Sequence, residues 1–71
     1  MVINACVEKR VDIYFVAAEI ILIGARVNIL PNIGVLIINA PDSANIDELL
    51  EKIKRIDGIK SASLDCDIQQ L

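Results

Sequence analysis

The chain has 71 residues, a formal net charge of −3 and a pI near 4.6. A chain of this length holds one domain and buries only about 60% of the surface its unfolded form exposes, so its stability is marginal without a partner or covalent support. Two cysteines and no histidine leave little room for a disulfide framework or a metal. The acidic balance disfavours a phosphate backbone, and Tyr14 and Phe15 are the sole aromatics, which removes the stacking platforms of single-stranded nucleic-acid binders. No nucleic acid is therefore expected as a partner.

The apolar content is 55%, above the usual ~45–50%, and it is almost entirely aliphatic. The run Ile13 to Ile23 is too short to span a bilayer, for which about 20 residues are needed, and Glu19 interrupts it. Glu8 and Asp12 stand where a signal peptide favours positive charge, so neither a membrane role nor a targeting segment is expected. An intracellular site is favoured if Met1 is native.

Residues 2–7 are β-compatible and lead into the charged run Glu8-Lys9-Arg10, the reading of a first strand and its exit. Residues 11–24 read as a helix, with Asp12 at its start, Ala17 and Ala18 favouring it and Gly24 stopping it. Between Arg26 and Ala40 the pattern is a hairpin, turning at Pro31-Asn32-Ile33-Gly34. Asn45 and Glu48 form a variant capping box for a second helix that Gly58 is expected to end. In that helix Ile46, Leu49, Leu50, Ile53 and Ile56 share one face, and Glu48 and Glu51 are spaced to pair with Lys52 and Arg55. Residues 59–66 alternate as a last strand, followed by a tail over 67–71. The order βαββαβ predicts an α+β, ferredoxin-like domain over residues 1–66, with a four-stranded antiparallel sheet and both helices on one face.

Such a sheet should alternate apolar and polar side chains. The third strand does not, since Val35, Leu36, Ile37 and Ile38 place aliphatic groups on both faces. One alternating set of these four is therefore a candidate docking face, against the simpler reading of ordinary exposed aliphatics.

Catalytic chemistry finds little to build on. Without histidine the usual base of a nucleophilic triad is absent, and Ser43, Ser61 and Ser63 lie in no recognisable nucleophile motif. Gly24, Gly34 and Gly58 are isolated, so no phosphate-binding loop or other cofactor site is expected. Cys6 and Cys66 are expected too far apart to bridge and read as small buried or half-buried apolar groups. Asp65 and Asp67 supply too few oxygens for calcium, so no metal site is expected.

The run from Gly24 to Pro41, followed by Leu50, Ile53, Ile56-Asp57-Gly58-Ile59-Lys60-Ser61-Ala62 and Asp65, resembles the propeptides of subtilisin-like serine proteases. The shared pattern is a glycine after the first helix, an aliphatic second hairpin strand, a proline before the second helix and a glycine step into a last strand with acidic residues at its end. The resemblance covers roughly residues 11–71 and rests on loosely spaced positions. It implies a non-catalytic prodomain that templates folding of the protease domain to which it is first joined, then inhibits it. Its open sheet face would pack on two surface helices of that protease, and its tail would lie in the active-site cleft. In that arrangement Leu71 fills the primary specificity pocket, Ile68 fills the pocket for the fourth residue from the cut, and Gln69 and Gln70 run extended between them. Asp65 would cap one protease helix, and Ser63, where the family usually carries glutamate, would cap the other without charge. It would also account for the sequence closing at Leu71. A small ferredoxin-like regulatory module, with Glu8-Lys9-Arg10 as its polar loop, and a metal-transfer module are the alternatives.

Overall fold

The computed structural model describes residues 1–64. Its elements are β1 (Val2–Val7), α1 (Ile13–Ile23), β2 (Arg26–Leu30), β3 (Val35–Asn39), α2 (Ile46–Lys54) and β4 (Ile59–Leu64). The strands form one sheet in the order β2-β3-β1-β4, every neighbouring pair antiparallel. The fold is therefore the α+β, ferredoxin-like βαββαβ arrangement.

Strand alternation shows which face is covered. Ile3, Ala5 and Val7 of β1 are buried, as are Leu36 and Ile38 of β3. They form one core with Val16, Ala17 and Ile20 of α1 and Leu49 and Ile53 of α2. Val27, Ile29, Ala62 and Leu64 pack against that core from the edge strands. Cross-strand register keeps these groups on one face, with Ile3 opposite both Ile38 and Leu64 and Ala5 opposite both Leu36 and Ala62. Among the described residues, twelve apolar side chains make up the buried core, and no polar or charged residue is buried with them. Burial of that aliphatic surface is what holds the domain together.

Local chemistry sets the element ends. Asp12 caps α1, its carboxylate accepting from the Tyr14 N–H at 2.9 Å, and Asn45 caps α2, its side chain accepting from the Glu48 N–H at 3.2 Å. Gly24 closes α1 in the left-handed region at φ 112°, its N–H donating to the Ile21 carbonyl. The hairpin turns where the sequence indicates, with the Ile33 N–H donating to the Leu30 carbonyl at 3.3 Å.

The second helix departs from expectation. It ends at Lys54, and Gly58 does not cap it. The Arg55 N–H donates to both the Glu51 and Lys52 carbonyls, and the Ile56 N–H donates to the Ile53 carbonyl, so the last turn tightens before glycine is reached. Gly58, at φ 100°, instead turns the chain into β4, where its carbonyl accepts from the Glu8 N–H at 2.8 Å. The first helix is likewise shorter than the expected 11–24. Of the two ion pairs expected on α2, Lys52–Glu48 forms at 3.5 Å and Glu51–Arg55 does not.

Candidate functional site

Two helices cover one face of the sheet, which leaves the other uncovered among the described residues. Register places side chains on this open face in three cross-strand rows. The first holds Leu30, Val35, Cys6 and Ser61, the second Asn28, Ile37, Asn4 and Ser63, and the third Arg26, Asn39 and Val2. Val35, Ile37, Val2 and Asn4 are half-buried, whereas Leu30, Cys6, Arg26, Asn28, Asn39, Ser61 and Ser63 are exposed. The result is an aliphatic centre on β3 and β1 bordered by small polar groups, with Arg26 as the single charge in these rows. An apolar centre free of charge with a polar rim is the composition of a protein-binding surface.

Of the proposed docking residues, Val35 and Ile37 lie on this open face, while Leu36 and Ile38 are fully buried beneath the helices. Thus the alternating set available to a partner is Val35 and Ile37. Ser63 is exposed on the edge strand β4, beside Asn4 in the second row. Asp65, Ile68, Gln69, Gln70 and Leu71, the candidate cap and cleft residues, lie outside the described residues, as does Cys66.

Asn4 was not singled out by its sequence context, yet it holds an unusual position. Its Oδ1 is shielded from solvent and has no hydrogen-bond partner. A buried acceptor without a donor costs on the order of 1–3 kcal/mol, so such groups are rare in stable domains. The signal available in the sequence was a lone amide at an even position of a strand whose neighbours on that face, Val2 and Cys6, are apolar.

Cys6 corrects an expectation. It is an exposed free thiol, because its position in β1 points away from the helices. It does lie at the beginning of the last strand, opposite Ser61. Close by, an open cleft of about 1040 Å³ is lined by Cys6, Glu8, Lys9, Asn32, Lys60 and Ser61 among others. Among the described residues no three histidine, cysteine or acidic side chains come together as a metal-binding group.

The charged exit of β1 makes a local bridge. Arg10 Nη2 donates to Asp57 at 3.1 Å and Arg10 Nε donates to Glu8 at 3.2 Å. The hydrogen bond to Asp57, then that to Glu8, raises the guanidinium pKa above its ordinary value. The group is exposed, so the bridge ties the β1 exit to the α2–β4 turn without contributing much stability. It consumes the charges that a ligand at this loop would need, leaving Lys9 and Lys60 as the cations lining the cleft.

No protein-family model matches the chain, and no curated protein or solved structure is significantly similar to it.

Proposed function

We propose that this domain is the propeptide of a subtilisin-like serine protease, a non-catalytic folding template and inhibitor of the protease domain that accompanies it. The observation that carries the reading is the open sheet face, where Val35 and Ile37 form an aliphatic centre beside the unpartnered Oδ1 of Asn4. A partner packing there removes apolar surface from water. The resemblance over roughly residues 11–71 supplies the kind of partner, a protease domain offering helices to the sheet and a cleft to the tail.

In this reading the sheet provides the area and the tail provides the active-site block. Ile68 and Leu71 occupy apolar pockets of the cleft, Gln69 and Gln70 pair through their backbone, and Asp65 and Ser63 cap the two protease helices. The test is a peptide-release assay on a subtilisin-like protease with the full chain added. Inhibition that weakens when Ile68 to Leu71 are removed supports the proposal; an uninhibited protease, or inhibition indifferent to that removal, overturns it.

A second reading rests on the cleft at the β1 exit, whose Lys9 and Lys60 suit a small anionic ligand of a regulatory module. Under it the chain binds small anions and leaves the protease untouched.

A further inference from the structure

We propose that α1 is a self-association surface, through which two copies of this chain pair with their helices antiparallel. This inference is independent of the protease reading, since α1 lies on the opposite side of the sheet from the open face.

The observation is a second apolar stripe on a helix that has already buried one. Val16, Ala17 and Ile20 face the core, yet the outward side carries Tyr14, Phe15, Ala18, Ile21 and Leu22, all exposed. The large members are far from buried: Tyr14 is 59% exposed, Phe15 66%, Ile21 55% and Leu22 86%. At about 100° per residue these five positions fall within roughly 120° of the helix circumference, centred on Ala18. Phe15, Ala18 and Leu22 follow the three-then-four spacing of a helix–helix seam, flanked by Tyr14 and Ile21.

The arrangement is self-complementary about its middle. Ala18 is the central residue of the helix that runs Ile13–Ile23. A two-fold axis through Ala18 lets the backbones approach closely, setting Tyr14 against the second copy's Leu22 and Phe15 against its Ile21. The bulky aromatic end of one helix thereby meets the aliphatic end of the other. No charged side chain lies within the stripe, so the symmetric contact brings no like charges together.

Area sets the size class of the contact. Aromatic side chains bury about 150–250 Å² each, so the exposed parts of Tyr14 and Phe15 offer roughly 250 Å². Ile21, Leu22 and Ala18 add a comparable amount, giving on the order of 1,000 Å² over both copies, the lower bound for a specific interface. An interface at that bound is a weak, reversible one. A lipid surface fits less well, because α1 contains no lysine or arginine to meet anionic headgroups and the chain is net acidic.

The test is analytical ultracentrifugation of the full chain up to about 1 mM, with circular dichroism to confirm that each variant is folded. The expected result is a concentration-dependent dimer whose dissociation constant rises at least about tenfold in Leu22→Glu, a site too exposed to disturb the fold. In a Cys6→Ser, Cys66→Ser background, Ala18→Cys should form an intermolecular disulfide with oxidised glutathione, while Asn28→Cys on the open sheet face should not. A chain that stays monomeric at the highest concentration overturns the proposal. So does a dimer that Leu22→Glu leaves intact, cross-linking through Asn28→Cys instead of Ala18→Cys, or capture of the monomer by neutral phosphatidylcholine vesicles through the same stripe.

Discussion

Asn4 and Ile37 stand directly opposite each other on the open face of the sheet, an amide whose Oδ1 has no partner beside a half-buried aliphatic side chain. The strands carrying them are the two central ones, β1 and β3. One residue along each strand, Ile3 and Ile38 make the equivalent pair on the covered face, and both are fully buried. The same two strands thus supply the heart of the core on one side and the proposed docking centre on the other.

That division separates stability from binding. Ile38→Ala removes a fully buried side chain from a small core and should cost about 2–5 kcal/mol, enough to unfold much of a domain this size. Ile37→Asp, half-buried on the open face, should cost less than Ile38→Ala, on the order of 1 kcal/mol from lost strand propensity. Yet it should weaken protease inhibition by more than about tenfold, because it places a charge in the desolvated centre of the contact. Thermal melts and inhibition titrations on the two variants check both statements.

Asn4→Val should stabilise the isolated domain by about 1 kcal/mol, since it deletes a shielded acceptor that lacks a donor and adds a residue suited to a central strand. The gain is read as a higher urea midpoint with an unchanged slope.

Two of the three positive-φ glycines, Gly24 and Gly58, should respond differently to alanine. At Gly24, φ 112° and with nothing within 4 Å of an added Cβ, the cost is backbone strain alone, about 1 kcal/mol. At Gly58, φ 100°, the Cβ would also meet Val11 Cγ2 at 2.8 Å, so the loss should be larger. Because the second part is a contact with a side chain, Val11→Ala should restore some of the stability of Gly58→Ala but none of that of Gly24→Ala. A double-mutant cycle by urea denaturation measures this coupling.

Removing the α2 cap tests the fold from its other end. Asn45→Ala takes the acceptor from the Glu48 N–H and should destabilise by about 1 kcal/mol, whereas Asn45→Asp should retain most of the cap. Urea melts of the pair decide it.

The architecture was legible because the local signals agree with one another. The caps Asp12 and Asn45, the closing Gly24 and the Pro31–Gly34 turn each act as their chemistry suggests, and β3 carries aliphatics on both faces. Where the reading failed, two signals competed. Gly58 looked like a helix stop, but carbonyls three residues back captured the Arg55 and Ile56 N–H groups first. Cys6 looked like a core residue by type, while the strand's two-residue period put it outside.

The site was legible only as a pattern. Four consecutive aliphatics do not reveal which pair faces out; the register with β1 does, by placing Leu36 and Ile38 with Ala5 and Ile3. Asn4 gained its significance only from the neighbours that shield it. The outward stripe on α1 was hidden by composition, since a helix apolar at every position but Glu19 has little periodicity to mark its two faces.

The central claim is most directly tested by methyl NMR of the full chain titrated with a subtilisin-like protease whose catalytic serine is replaced by alanine. The methyl signals of Leu30, Val35, Ile37 and Val2 should shift or broaden while those of Ile53, Leu49 and Ile20 hold their positions. Unchanged spectra at saturating protease, or changes centred on the helices with Val35 and Ile37 unaffected, would contradict it.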